Sequence, residues 1–166
     1  RQRQMCIRDR GNICFDGARL SLENRFTLAP GARLLAWETL CLGRPVMGEG
    51  FERGTLDSRL IVDMPDDPGL HERLRVDGGS LHKLAGYPLQ ATFCAAPATP
   101  ELLEQARALL EDLGVPAGAT LLGHLLVVRL LDHDNQRLQS TLARLWHALR
   151  PAITGLAPCP PRIWAT

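Results

Sequence analysis

The spacing of apolar residues changes once along this chain, and this change restricts the possible folds more than any other feature. Between residues 19 and 95, short apolar runs are separated by turn residues, which is typical of β-strands. After residue 99, leucine and alanine recur at intervals of three and four, which is typical of amphipathic helices. Strands followed by helices predict an α+β fold that is mainly β, rather than a parallel βαβ sheet.

The first two strands are predicted to have different environments. From Arg19 to Leu28 the apolar residues share one parity, so this strand has one buried face. The turn Ala29-Pro30-Gly31 ends it, and the next strand, Arg33 to Leu42, is apolar on both parities and predicted to be buried on both faces. Further strands are predicted at 55–63, 70–76 and 89–95. The turn-rich connections between them predict an antiparallel meander.

Two helices are predicted in the second half of the chain. The first spans 100–113, with Thr99 as N-cap and Gly114 as the stop. A β-rich run at 125–131 follows. The second helix spans about 135–150 and is predicted to end at Pro151. The run Asp132-His133-Asp134-Asn135 precedes this helix, where its carboxylates are well placed to cap the N-terminus.

Composition narrows the class of protein. The 166 residues, 45% of them hydrophobic, suit one domain. Residues 1–10 resemble a translated adapter sequence and are expected to be non-native, which leaves residues 11–166 as the domain. That remainder has 15 basic and 17 acidic residues and few aromatics, so nucleic-acid binding is not expected. No run approaches the roughly 20 apolar residues of a membrane span, and a cytoplasmic protein is expected.

No local pattern identifies an enzyme. The five cysteines and five histidines are scattered without metal-ligand spacing, and the chain has no nucleophile elbow, Walker loop or dinucleotide-binding motif. The segment from Gly43 to Glu49 differs from the rest of the chain in composition. It contains two glycines, a proline, Arg44 and Glu49, and it follows a buried strand directly. This composition predicts a tight turn. Arg44 and Glu49 either hold that turn as an ion pair or face a cavity or partner.

Two separated segments carry a resemblance to a known family. The run Trp37–Phe51, WETLCLGRPVMGEGF, and the preceding FDGA at 15–18 are similar to the central part of the UreD (UreH) urease accessory proteins. The end of the chain, PRIWAT at 161–166, resembles the closing signature of the same family. Family members begin with a further β-rich part that has no counterpart here, so the chain is expected to be the C-terminal part of a UreD-like domain.

The resemblance implies a non-catalytic scaffold that acts with UreF and the GTPase UreG on apo-urease. Nickel is expected to pass through the scaffold transiently, with no tight metal site and no tightly bound cofactor. Weak oxygen ligands suit such transit, because a Cys/His cage would hold Ni²⁺ too tightly. Glu38 and Glu49 are therefore the predicted passage-lining residues, and Arg44 is predicted to stabilise the turn.

The second helix and the tail are predicted to contribute partner contacts through Arg150, Arg162 and Trp164. Two other functions stay open at this point. The chain could be a small hydrolase or transferase whose Cys/His site assembles only in space. It could also be a plain protein-interaction module with no role in metal transfer.

Overall fold

The computed structural model describes residues 4–8 and 11–159, and the fold is α+β and mainly β, as predicted. The strands are β1 Gln4–Arg8, β2 Asn12–Cys14, β3 Arg19–Thr27, β4 Arg33–Leu42, β5 Thr55–Asp63, β6 Leu70–Asp77, β7 Leu89–Ala96, β8 Ala117–Leu122 and β9 Leu125–Asp132. The helices are α1 Pro100–Leu113 and α2 Asn135–Thr154, with short 3₁₀ turns at Pro45–Met47 and His82–Leu84.

The described strands form two sheets. The central sheet has the order β1-β4-β7-β9-β8, and β2 pairs with β4 beyond the end of β1. The second sheet has the order β3-β5-β6. In the central sheet β7 is antiparallel to both β4 and β9, whereas β1 and β2 run parallel to β4. In the second sheet β3 runs parallel to β5, and β6 runs antiparallel to β5.

Three layers result, because both helices pack on one face of the central sheet and the second sheet packs on the other. Strand β4 therefore has two buried faces, as its sequence predicts. Leu35 and Trp37 point to the helices, where Trp37 stacks on Phe93 with ring centroids 5.8 Å apart. Leu34 and Ala36 point to the second sheet. No helix in the described part of the chain is long and apolar enough to cross a membrane.

Strand β3 and helix α1 agree with their predictions. Exposure alternates along β3. Helix α1 has the predicted bounds, with Thr99 at the N-cap position and Gly114 in the left-handed conformation at the C-cap. No hydrogen bond from the Thr99 side chain caps the helix, although a hydrogen bond between Thr99 and Glu101 lowers the pKa of Glu101.

The predicted end of α2 at 150 is wrong, because the helix continues through Pro151 to Thr154. Pro151 removes one intrahelical hydrogen bond, but only three helical residues follow it, so little of the helix depends on the turn that it distorts. Burial of Ile153 draws the last turn into the core, and the Thr154 hydroxyl donates to the carbonyl of Arg150 at 2.8 Å. Gly155, with φ +72°, then ends the helix in the left-handed conformation.

The predicted meander is also wrong in part. Only β5 and β6 form an antiparallel pair within it, because β7 belongs to the central sheet. The single-sequence pattern missed β8, which forms a hairpin with β9 around Gly123 and His124. The sequence pattern also does not predict the edge strands, in which residues 4–8 and Asn12–Cys14 pair with β4. That residues 1–10 are non-native stays a prediction.

The predicted cap of α2 is confirmed and extends beyond one residue. Asp134 accepts hydrogen bonds from the backbone amides of Gln136 and Arg137. Asp132, whose side chain is 1% exposed, accepts from the Arg137 guanidinium through both carboxylate oxygens, at 2.7 and 2.8 Å. Burial acts to raise the pKa of Asp132, but the hydrogen bonds from Arg137 and from the amides of Asp134 and His133 outweigh it and lower that pKa.

Substituting Asp132→Asn should reduce the free energy of unfolding by about 1–3 kcal/mol at pH 7, because a buried charged acceptor loses its pairing with a half-exposed arginine. A carboxyl with a lowered pKa stabilises the fold above its ordinary pKa near 4, and this contribution disappears as the pH falls through the lower folded value. The difference between wild type and variant should therefore shrink in acid. Urea unfolding between pH 3 and 7 tests this, with Asp134→Asn as a near-neutral control because asparagine also caps helices.

Candidate functional site: a polar row between the two sheets

A row of polar side chains crosses the central sheet on the face that meets the second sheet. Glu38 on β4 lies opposite Thr92 on β7, and Thr92 lies opposite Arg129 on β9. Directly paired residues project from the same face of a sheet, so these three side chains form one line across three strands. Glu38 is 7% exposed and Thr92 is 1% exposed, so polar groups lie deep in the molecule at this level.

The second sheet contains a matching row. Asn24 on β3 lies opposite Leu60 on β5, and Leu60 lies opposite Glu72 on β6. The two rows meet at both ends. The Asn24 amide donates to a carboxylate oxygen of Glu38 at 2.7 Å, and the Arg129 guanidinium donates to Glu72 with a shortest distance of 2.7 Å. We name Asn24, Glu38, Thr92, Glu72 and Arg129 the inter-sheet polar row.

The two ends of this row differ in exposure. The Glu38 end is buried, whereas the side chains of Arg129 and Glu72 are 45% and 26% exposed. Next to Arg129 on β8 lies Gly118, and a Cβ atom at that position would meet nothing within 4 Å. The outer end is therefore open to solvent. Since neighbouring strands are spaced by about 4.8 Å, the row runs roughly 10 Å from this opening to Glu38.

A small cavity adjoins the buried end. Its volume is about 30 Å³, which is enough for about one water molecule. Its lining combines groups from both sheets: Asn24, Phe26, Leu60, Ala36, Trp37, Glu38, Thr92 and Cys94. Three members of the row, Asn24, Glu38 and Thr92, therefore line a space the size of one water molecule.

Two further polar side chains lie on the same sheet faces as the row, each two residues along its strand from the level of the row. Ser58 on β5 and Gln90 on β7 are 3% and 7% exposed. The Gln90 amide donates to the Thr92 hydroxyl at 2.7 Å, but the Gln90 carbonyl oxygen and the Ser58 hydroxyl have no hydrogen-bond partner among the described residues. Buried polar atoms without a partner destabilise a fold, and natural proteins usually tolerate few of them. Their presence beside the row makes this part of the core unusually polar.

Three thiols, one of them (Cys94) beside the row, are poor ligands and poor nucleophiles. Burial, with a smaller contribution from Glu38, raises the pKa of Cys94 to about 12. Burial likewise raises the pKa of Cys14 to about 11 and raises that of Cys41. The thiolate is the reactive and metal-binding form, so these shifts argue against Cys14, Cys41 and Cys94 as nucleophiles or metal ligands. Within residues 4–8 and 11–159, no group of three or more His, Cys, Asp or Glu side chains is arranged to hold a metal ion.

Glu49 lies away from the row, in the loop that follows β4. Its carboxylate accepts from Nε of Arg44 at 2.6 Å and from Nη2 of the same residue, and the backbones of these two residues hydrogen bond to each other. Both side chains are about 45% exposed. Gly43, with φ +82°, begins this loop, and a Cβ atom there would collide with the backbone of Glu49 and Gly50. The conformation of the loop therefore depends on glycine and on this ion pair.

The loop borders a surface cleft of about 320 Å³. Its polar lining includes Glu49, Glu52 and His133. On the outer side of the loop, the apolar side chains Val46 and Met47 are 91% and 68% exposed.

A second pair of exposed apolar residues adjoins the loop. Ile13 and Phe15 are 52% and 53% exposed, and the Arg44 guanidinium lies 5.4 Å from the centre of the Phe15 ring. We call Ile13, Phe15, Val46 and Met47 the apolar patch. Exposed apolar groups concentrated in one region are typical of contact surfaces.

Of the three predicted partner-contact residues, the structure describes one. Arg150 contacts its own chain: its Nε donates to the carbonyl of Ala157 at 3.3 Å, and its guanidinium lies 4.8 Å from the centre of the Trp146 ring. Arg162 and Trp164 lie outside the described residues. A role for these three residues in binding a partner therefore stays a prediction.

Four members of the row, Asn24, Thr92, Glu72 and Arg129, were not predicted from the sequence. Asn24, Glu72 and Arg129 each interrupt an apolar parity: Asn24 among Leu20, Leu22 and Phe26, Glu72 among Leu70, Leu74 and Val76, and Arg129 among Leu125, Val127 and Leu131. Glu38 interrupts the parity of β4 in the same way. One polar residue per strand on a buried parity is a usable signal. Only the pairing register, however, shows that the four interruptions align.

Ser58→Ala should leave the stability of the protein unchanged or raise the free energy of unfolding by up to about 1 kcal/mol, because it removes a buried hydroxyl that lacks a partner. Ser21→Ala, on the exposed face of β3, is the matched control and should be neutral. Urea unfolding of both variants tests this. A loss of more than about 1 kcal/mol in Ser58→Ala would mean that the hydroxyl makes a stabilising contact.

Comparison with known proteins identifies the family. A family model described as "UreD urease accessory protein" matches residues 9–165. The chain is 72% identical over 155 residues to the urease accessory protein UreD of Pseudomonas putida (strain W619), and 69% identical to that of Pseudomonas entomophila (strain L48). In each case the match covers 93% of this chain and 56% of the relative.

More distant relatives match over the same part of the chain. The urease accessory protein UreD of Citrobacter koseri is 47% identical over 154 residues, a match that covers 93% of this chain and 54% of the relative. The chain thus spans about half the length of the curated relatives it matches. Because the family model covers nearly the whole chain and the identities are high, the chain belongs to the UreD family of urease accessory proteins.

Proposed function

We propose that the protein is a non-catalytic urease maturation factor in the cytoplasm, which acts with UreF and UreG to deliver nickel to apo-urease. We further propose that Ni²⁺, as cargo, crosses this part of the protein along the inter-sheet polar row. The observation that carries the proposal is the alignment of Glu38, Thr92 and Arg129 with Asn24 and Glu72 between the two sheets. Family membership supports the maturation role.

The ligand chemistry of the row suits release rather than capture. Carboxylate, amide and hydroxyl oxygens bind nickel less tightly than imidazole and thiolate do, and divalent nickel ranks high in the general affinity series. A conduit must therefore avoid assembling nitrogen and sulfur ligands. The row offers the carboxylate of Glu38, the hydroxyl of Thr92 and, two residues along β7 from Thr92, the carbonyl oxygen of Gln90.

The one sulfur atom beside the cavity is consistent with this requirement. Cys94 lines the cavity, and its raised pKa of about 12 keeps the thiol protonated at neutral pH. A protonated thiol is a weak metal ligand, since coordination requires the thiolate. The passing ion would therefore meet mainly oxygen atoms and water.

A second candidate function is a protein-interaction module without a role in metal transfer. The apolar patch favours it, because Val46 is 91% exposed and Arg, Met and aromatic residues are common at protein interfaces. The two functions are compatible in one protein, but they predict different effects of substitutions in the row. An interaction module needs the patch and does not need Glu38.

Glu38→Gln separates these functions when it is made in the full-length protein that contains this sequence and co-expressed with UreF, UreG and apo-urease. The glutamine can still accept the hydrogen bond from Asn24, so the complex should assemble normally, but the loss of the charge should reduce the nickel content of urease severalfold. Nickel per urease and the recovery of the complex by pull-down are the two measurements. Glu23→Gln on the exposed face of β3 is the matched control.

Three outcomes are distinguishable in this experiment. Reduced nickel with an intact complex supports passage along the row. Normal nickel in Glu38→Gln, with an intact complex, rejects the row as the route and favours the interaction module. A wild-type protein that neither copurifies with the maturation proteins nor affects urease nickel content rejects the proposed function altogether.

Glu49→Ala belongs in the same assay, because Glu49 is the other predicted passage-lining carboxylate. Its ion pair with Arg44 shapes the loop beside the apolar patch, so we expect weaker recovery of the complex as well as less nickel in urease. Arg44→Ala should have the same effect if the ion pair is what matters. Normal nickel loading and normal complex recovery in Glu49→Ala would remove this residue from the route and from the interface.

A further inference from the structure

Arg129 poses a problem for any cation that enters the inter-sheet polar row. The open end of the row is occupied by a positively charged guanidinium, which donates to Glu72 through Nε at 3.1 and 3.2 Å and through Nη2 at 2.7 Å. A bidentate arginine–carboxylate pair uses both oxygens of the carboxylate. Glu72 is therefore engaged by an internal cation before any metal ion arrives.

The position of this pair makes it the entrance. The side chains of Arg129 and Glu72 are 45% and 26% exposed, and the neighbouring Gly118 leaves the space beside them open. Inward from them lie Thr92 and then Glu38, both nearly buried. An ion that reaches Glu38 from this side must pass the guanidinium, which repels it, or displace the guanidinium from Glu72.

We propose that Arg129 is an internal competitor for Glu72 that controls the entry of divalent cations into the row. With Arg129 paired, the entrance is neutral and holds a cation weakly. When the guanidinium swings out into solvent, Glu72 becomes available as a carboxylate ligand. The exposed fraction of Arg129, close to half of the side chain, gives it room for this movement. This inference rests on the proposed function and concerns the regulation of the same row.

The chain contains a close structural match that serves as a control. Arg73 on β6 forms a bidentate pair with Asp57 on the outer face of the second sheet. The exposures of that pair are 49% and 27%, against 45% and 26% for Arg129 and Glu72. The two arginines thus have similar exposure and each forms a bidentate pair, although Asp57 also lies 3.8 Å from Arg75. Only Arg129 lies on the row. A general effect of losing a surface arginine should appear in both variants.

The test is the affinity for Ni²⁺ alone, measured by isothermal titration calorimetry on the full-length protein without partners. Arg129→Gln should bind Ni²⁺ about tenfold more tightly than wild type, because one competing, partly exposed cation is removed. Arg73→Gln should bind as wild type does. Arg129→Lys, which retains the charge, should remain closer to wild type than Arg129→Gln, and the double variant Glu72→Gln/Arg129→Gln should lose the gain.

Arg129→Met provides a second test if the glutamine variant is unstable, since it preserves the apolar stem while removing the charge. Thermal unfolding establishes that each variant is folded. Unchanged Ni²⁺ affinity in a folded Arg129→Gln or Arg129→Met protein, or an equal gain in Arg73→Gln, would overturn the inference. This assay contains no urease, so its failure is distinct from that of the proposed function, which is judged by complex recovery and by the nickel content of urease.

Discussion

Burial of the central sheet on both faces is the constraint on which the other elements depend. Strand β4 shows it most clearly, because Leu35 and Trp37 pack against the helices while Leu34 and Ala36 pack against the second sheet. Each large apolar side chain that is fully buried contributes roughly 1.5–3 kcal/mol relative to exposure. A sheet with two such faces needs a covering layer on each side. Helices α1 and α2 provide one layer, and the short second sheet provides the other.

The same packing gives the polar row its chemical character. Charged and polar groups that lie between two apolar sheet faces interact more strongly than they would in water, and they destabilise the fold if they lack partners. The Glu38–Asn24 and Arg129–Glu72 contacts satisfy the ends of the row, whereas the Ser58 hydroxyl has no partner in the part of the chain that the structure describes. An apolar side chain at Ser58 would suit stability better. Local departures of this kind are expected at functional sites.

We therefore propose different roles for two regions of the protein that differ in their properties. The row is internal and polar, and the nearby thiol of Cys94 is kept protonated by burial. The loop of Arg44 and Glu49, with the apolar patch, is external, and its ion pair is largely solvated. The loop lies within the segment 37–51 that resembles the UreD family, but its carboxylate is already paired with Arg44. For a passing cation, Glu38 is the better-placed of the two predicted carboxylates because it lies on the row.

Local patterns in the sequence determined much of the fold. The alternation in β3, the double apolar parity of β4, the bounds of α1 and the cap at Asp134 all follow from interactions within a few residues, so a single sequence reports them. The resemblance at residues 37–51 likewise identified the family. These features need no knowledge of which strands are neighbours.

Tertiary structure decided the rest. Pairing register cannot be read from one strand, so the assignment of β7 to the central sheet and the alignment of Asn24, Glu38, Glu72 and Arg129 emerged only when the sheets were assembled. The end of α2 depended on burial of Ile153, which outweighed the local effect of Pro151. A polar residue on a buried strand face is visible in sequence, but its partners come from distant segments, and only the packing of one sheet on another brings them together.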